Sequence, residues 1–474
     1  MSDKKIKHYL DLFSTNTEAM QRYFAQAMKK GGDFCDLYFQ NTFSNVVVLE
    51  DKQVNRAFTN IDLGVGIRVL KGNQTGYSFS EDISEKAILN AAAVAGSIAD
   101  SNVSYKPIGL NAHATKNFYP IKTTWESIES QAIIDILLRL DQIVQKLDNR
   151  VIKTNIWFTR ESSQILVANT NGTLAFDDRP LGQINLVIVA EQGGERQQNS
   201  YSISVRNDID YFTEEILQRI ASEAIAKTMI LFDAITPKGG EMTVVLAAGS
   251  SGILLHEAIG HGMEADFNRK KTSIYTEMMN QQIAPEFVTI VDNGTIPHCR
   301  GSINIDDEGT SSQDTVLVEK GILKSYLHDL MSAKHYDVSP TGNGRRESFR
   351  HIPLPRMRNT YMLDGPHTHD EIVSSIQNGI YCQTFTNGQV NIGGGDFTFF
   401  VKNGYLIENG KLTQPIKDIN IIGNGPEVLQ NIQMAANDFE MSEGGWTCGK
   451  DGQGVPVSQG LPTIKVDCIN VGGN

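Results

Sequence analysis

Cysteine is scarce in this chain: five residues in 474, Cys35, Cys299, Cys382, Cys448 and Cys468. An odd, sparse set with no CxxC pair argues against a secreted disulfide framework or a zinc knuckle, so a reducing cytoplasm is the expected compartment. Long apolar runs are missing as well. The most hydrophobic stretches, AAAVAGSIA from Ala91 and MTVVLAAG from Met242, are far too short to span a bilayer, and the start MSDKKIKHYLDLF leads into no apolar run. We therefore expect neither a membrane nor a targeting segment. Positive charge is in deficit, with 42 Lys and Arg against 55 Asp and Glu and a formal net charge of -13. That balance offers no broad attraction to a phosphate backbone, so nucleic acid is not an expected partner. Nor does the chain hold a GxxxxGK[ST] loop for nucleotide-driven work.

What remains is a globular composition, 40% hydrophobic and 20% charged, in a chain long enough for two or three cores. TTWESIESQAIIDILLRLDQIVQKL from Thr123 has apolar residues at Ile133, Leu137, Leu140, Val144 and Leu147, with Thr123 and Glu126 at capping-box spacing. It predicts a long amphipathic helix. Weaker helical patterns cover residues 5–29, 84–99 and 213–231, and between them DLYFQ, NVVVLE, GVGIRVL, IKTNIWFT, QILVANT and INLVIVAE read as strands. After TPKGGE at Thr236 the helical periodicity fades and glycine becomes dense. LVEKGILKSYLHD from Leu317 and LIENGKLTQPIKD from Leu406 both read as strand, tight turn, strand. The fold class expected is α+β: a mixed helix and sheet domain over residues 1–236, then a β-rich domain over 237–474 that carries the chemistry.

That chemistry centres on His256, Glu257 and His261, a His-Glu-x-x-x-His array behind the strand-like MTVVLA. Two histidines five apart on a straight α-helix point about 140° from each other, too far for one metal ion. A π-type turn narrows the angle to about 50°, and Gly260 and Gly262 make such a distortion, or an abrupt helix end, feasible. A catalytic zinc also needs a third protein ligand. By chemistry the candidates are Glu264, Asp266, the run Asp306, Asp307 and Glu308, and Cys448 in the glycine-rich GGWTCGKDGQG. A run such as IDDEGT is more often a solvated turn. Arg345 and Arg346 in GNGRRES suit either a substrate carboxylate or a structural ion pair. NGQVNIGGGDFTFF offers either a strand edge for a peptide or a packed sheet corner.

HEAIGHGMEADFNRK at His256, DDEGT at Asp306, PTGNGRRES at Pro340, NTYML at Asn359, NGQVNIGGG at Asn387 and CGKDGQ at Cys448 occur in the order seen in one family. With GVGIRVL and TGYSFSED near the start, the chain resembles the TldD/PmbA zinc metallopeptidases, on the TldD side. The His-Glu-x-x-x-His array separates it from PmbA/TldE-like chains, which lack it. The resemblance implies zinc (Zn2+) held by His256, His261 and Cys448, with Glu257 as catalytic acid/base. It further implies peptide or unfolded polypeptide substrates, an enclosed cavity, and a dimer with a PmbA/TldE-like subunit or a second copy. The alternative reading is a non-catalytic scaffold subunit with a structural zinc, Glu264 completing four ligands.

Overall fold

The computed structural model of the chain describes residues 2–101, 105–113, 115–391 and 393–472. Its architecture is α+β. The first half is built on a seven-stranded sheet in the order Gln74–Ser80, Gln53–Lys71, Phe34–Glu50, Val151–Asn169, Thr173–Gln192 and Asn111–Ala112, with Glu195–Val205 also pairing to Thr173–Gln192. Every pairing is antiparallel except that of the two-residue Asn111–Ala112.

The strands are longer than the sequence pattern predicts. DLYFQ and NVVVLE are parts of one 17-residue strand, and IKTNIWFT and QILVANT of one 19-residue strand about 60 Å long. Polar residues that read as breaks are instead paired across strands: Gln40 Nε2 donates to Ser163 Oγ at 3.3 Å, Thr42 Oγ1 lies 2.8 Å from Ser163 Oγ, and Arg160 Nε donates to Asn45 Oδ1 at 2.9 Å. At one end of the sheet Leu37, Phe39, Ile67 and Leu166 pack against helices Ser2–Leu12, Thr17–Ala27 and Glu85–Ala95. At the other end Val47, Leu49, Ile156 and Leu186 pack against Ser130–Leu147 and Glu214–Met229. The polar middle is the gap between these two helical layers.

Two helical expectations need correcting. Residues 5–29 form two helices, because Phe13 turns into the core and Asn16 begins the second by accepting from the Ala19 N–H at 2.8 Å. Thr123 and Glu126 form no capping box. A single 3-10 turn, Trp125–Ser127, intervenes, the long helix starts at Ser130, and Leu147 is half exposed.

The second half holds two six-stranded sheets and four short helices of five to seven residues among its described residues. One sheet runs Ile322–Leu323, Asp314–Glu319, Ile290–Asn293, Asn359–Met362, Ser458–Leu461 and Glu440–Met441. The other runs Lys411–Asn424, Asp396–Glu408, Asn378–Val390, Gly240–Leu246, Ile464–Gly472 and Ile432–Ala435. A further pairing of Asn420, Ile421 and Ile422 with residues 470–472 closes five of these strands into a ring. The two similar hairpins belong to different sheets, and the second arm of the first is only Ile322–Leu323. NGQVNIGGG straddles the end of Asn378–Val390, and its Ile392 lies outside the described residues.

The halves meet across the sheet face opposite the helices, where Tyr38, Ile165, Val167 and Ala175 touch Ile305 and Phe349. Around that contact sits a buried ionic knot. Arg179 bonds Asp177 at 2.9 Å and Asp307 at 2.7 Å, while Arg68 lies against Asp36 and 2.7 Å from Glu308. Asp306 accepts from the backbone of Glu308, Thr310 and Gly344 at 2.8–3.0 Å. The three carboxylates of the IDDEGT run are therefore buried, and the run is not a solvated turn.

Candidate metal centre

The strand Gly240–Leu246 ends in a turn at Gly249, whose φ of 82° suits glycine, and Ser250–Gly252 leads into the motif. Leu255–Gly260 is a π-helical turn, closed by the His261 N–H donating to the His256 carbonyl five residues back. A 3-10 turn, His261–Met263, ends it. The widened turn brings both imidazoles to one side, with ring centroids 5.0 Å apart and planes at 82°. Ile253, Leu254, Leu255, Ala258 and Ile259 bury the turn against Phe397, Phe399, Val401 and Ile419 of the ring.

Cys448 arrives on a separate hairpin, Thr447–Lys450 paired with Gln453–Pro456. Its Sγ lies 3.6 Å from His261 Nε2, and one ligand atom from each of His256, His261 and Cys448 falls within 4.8 Å of the other two. All three side chains are buried, at 2%, 5% and 2% exposure. Burial pushes the Cys448 thiol up, but the two imidazoles outweigh it and hold it well below its ordinary value. Burial pushes the His261 imidazole down, and Glu264 and Cys448 reverse that, holding it well above its usual range.

The other candidates sit elsewhere. Glu264 is fully buried and turned to the far side of His261, its Oε2 3.0 Å from Nδ1 and 3.0 Å from Lys450 Nζ. Burial opposes its ionisation, yet Lys450 and His261 hold its pKa down to about 2. Asp266 pairs with Lys450 at 2.7 Å, and Asp306, Asp307 and Glu308 belong to the interdomain knot. Arg345 donates to the carbonyls of Met357 and Pro456 at 2.6 and 2.8 Å. Arg346 donates to the Asp307 carbonyl at 3.0 Å and covers the Tyr38 ring. Both guanidinium groups are buried and occupied by structure.

Glu257 places its Oε2 4.0 Å from His261 Nε2 and keeps 21% of its side chain exposed, unlike the three residues it adjoins. A cleft of about 910 Å3 opens nearby, lined by Arg219, Lys227, Ser250, Gln383, Glu440 and Trp446 among others. It stops short of the four side chains but reaches Trp446, two residues before Cys448.

Two imidazoles and a thiolate, desolvated and mutually within 4.8 Å, form a donor set suited to zinc. A second sign is that the buried His256 Nδ1 has no hydrogen-bond partner among the described residues. Sequence reasoning missed Lys450. Its signal was available in CGKDGQ, since residues two apart on a strand share a face.

Three segments of the chain match descriptions of one family: "PmbA/TldA metallopeptidase domain 1" over 35–99, the "central domain" over 124–232 and the "C-terminal domain" over 239–473. A Buchnera aphidicola (subsp. Acyrthosiphon pisum) protein named "Metalloprotease TldD homolog" is 40% identical over 448 residues, 93% of each chain. A Saccharolobus solfataricus protein named "Zinc metalloprotease TldD homolog" is 30% identical, covering 96% of this chain and all of its own. Among solved structures, TldE from Thermococcus kodakarensis superposes with a TM-score of 0.74 at 18% identity, over 96% of this chain and 100% of that one. At that identity the likeness is one of fold.

Proposed function

Because the chain belongs to the PmbA/TldD family of metallopeptidases, we propose that it is a zinc-dependent peptidase subunit hydrolysing short or unfolded peptides. His256, His261 and Cys448 hold the metal, and Glu257 moves the proton. The observation that carries this reading is the π turn: it aligns two histidines of otherwise unsuitable spacing with a cysteine 187 residues away, and leaves the neighbouring carboxylate solvent-accessible.

Zinc bound there supplies Lewis-acid polarisation of a water and of the scissile carbonyl. Glu257 takes the water proton on its carboxylate and passes it to the leaving amine. Glu264 orients His261 from behind, and the hydrophobic packing of the turn keeps bulk water off the ligand side chains. The cleft beside Trp446 is the approach for an extended chain, and a second subunit, PmbA/TldE-like or a copy, encloses it. The structural match to TldE supports a partner of the same fold. The five unpaired cysteines suit a reducing cytoplasm. Residues 1–236 and 237–474 are proposed as the two folding units, supported by sheets that recruit strands from one side of that boundary only. A closed structural site is not favoured, because the bonds of Glu264 Oε2 to His261 Nδ1 and Lys450 hold that carboxylate on the side of His261 away from Cys448.

Metal analysis of the purified chain, coupled to hydrolysis of a quenched fluorescent peptide, tests the reading. We expect about one zinc per chain, largely lost in each of His256→Ala, His261→Ala and Cys448→Ala. Full zinc in Cys448→Ala with loss in Glu264→Ala would overturn the ligand set. Zinc retention without hydrolysis, alone or with a partner subunit, would leave the scaffold.

A further inference from the structure

Cys448 and Lys450 stand two residues apart on the strand Thr447–Lys450 and therefore project from the same face. The burial pattern agrees: Cys448 and Lys450 are buried, Thr447 and Gly449 exposed. That face meets His261 at both ring nitrogens. Cys448 Sγ lies 3.6 Å from Nε2, and Nδ1 lies 3.0 Å from Glu264 Oε2, which in turn accepts from Lys450 Nζ at 3.0 Å.

An ammonium group has three N–H donors, and Lys450 uses all three: on Glu264, on Asp266 Oδ1 at 2.7 Å and on the Pro355 carbonyl at 3.1 Å. The Phe267 ring covers it at 4.1 Å. A lysine only 7% exposed, with its donors saturated in fixed directions, holds its partners in one geometry. The other Glu264 oxygen, Oε1, has no partner among the described residues although it is buried. It is the oxygen that could turn toward a metal if the carboxylate were released.

Resting on the metal site proposed above, we infer that Lys450 is a positioning residue for that site. Through Glu264 it fixes the His261 ring, and it keeps the Glu264 carboxylate as an acceptor for Nδ1–H rather than a ligand. One strand face thus supplies a sulfur donor and, two residues on, the anchor for the imidazole beside it.

The test compares zinc affinity, by chelator competition, and the visible spectrum of the cobalt(II)-loaded protein across four variants. Lys450→Met removes the anchor. Lys450→Met with Asp266→Asn removes one cation and one anion together, so the buried charge stays balanced and the fold is spared. Glu264→Gln removes the middle link, and Glu264→Gln with Lys450→Met closes a double-mutant cycle.

We expect the charge-balanced variant to bind zinc about 10- to 100-fold more weakly, the scale for losing an outer partner of a ligand histidine. Its cobalt spectrum should keep the thiolate charge-transfer band while the ligand-field bands weaken, as the freed Glu264 adds to the coordination number. Adding Lys450→Met to Glu264→Gln should cost no further affinity. A lysine that merely staples the hairpin would leave the ligand-field bands unchanged and give additive losses, and either result overturns the inference. Should the balanced variant fail to fold, unchanged zinc affinity in Glu264→Gln overturns it equally. Absence of zinc binding in the parent chain would remove the proposed metal site itself, a distinct failure.

Discussion

Glu257 follows the buried His256 in sequence yet keeps a fifth of its side chain in contact with solvent, whereas Glu264 three residues beyond His261 has none. Two carboxylates on one short segment thus have different environments, which fits the proton-carrying role proposed for Glu257 and the acceptor position of Glu264. Glu257→Gln keeps the size and removes the charge; we expect zinc content to be unchanged and peptide turnover to fall at least about a hundredfold. Undiminished turnover in the zinc-replete variant would take the role away from Glu257. Three of the four residues proposed for the site were legible as a spacing alone, because they share one turn of chain. Cys448 was one candidate among several until the family resemblance singled it out, since nothing local to GGWTCGKDGQG says which distant side chain it will meet. For Lys450 the sequence showed only a place on the Cys448 face of CGKDGQ; its carboxylate partners lie 184 and 186 residues away and could not be read from it.

At the scale of elements the π turn is the feature on which the site depends, and it is held from outside. A Cβ on Gly425 would sit 2.1 Å from the Ala258 carbonyl, a backbone atom within the turn that has no room to retreat. Gly425→Ala should therefore force the segment Gly425–Gln430 off the turn, lowering stability by about 1–3 kcal/mol and weakening zinc binding in parallel. Thermal unfolding and chelator competition on one preparation check both, and a stability loss without a change in zinc affinity would mean the turn keeps its shape unaided. The turn itself could be anticipated, because the spacing of His256 and His261 demands either a distortion or no metal. The strands were harder. Apart from Phe43, which packs on the second layer, their mid-sections at residues 41–45 and 160–164 are polar because they bridge two separate helical layers, and alternation is lost between them. Helix starts were read correctly where a side chain does the capping, as at Ser84 and Thr213, and incorrectly at Thr123, where none does.

Across the whole molecule, the two halves are joined by more than apolar contact. Arg68 faces two buried carboxylates, Asp36 and Glu308, and Asp36 is also met by Arg346 at 3.5 Å. Burial, with Asp329 and Asp306 nearby, raises the Glu308 pKa to about 8 despite the guanidinium. Between the ordinary glutamate value and 8 the folded chain binds a proton that the unfolded chain releases, so this group favours folding at low pH and ceases to as pH rises through 8. The denaturant midpoint should accordingly fall between pH 5.5 and 8.5, and Glu308→Gln, which cannot ionise, should flatten that slope. Burial raises the neighbouring Asp306 as well, to about 7, so parallel slopes in the two proteins would assign the titration to Asp306 rather than Glu308. A last consequence comes from the order in which the ligands are made. The second of the two histidines emerges during synthesis 187 residues ahead of the cysteine, so a growing or prematurely ended chain carries the imidazole pair without the thiolate. On the proposed ligand set, full-strength zinc loading waits until almost the entire polypeptide exists, and metal content would record whether translation reached the hairpin of Cys448.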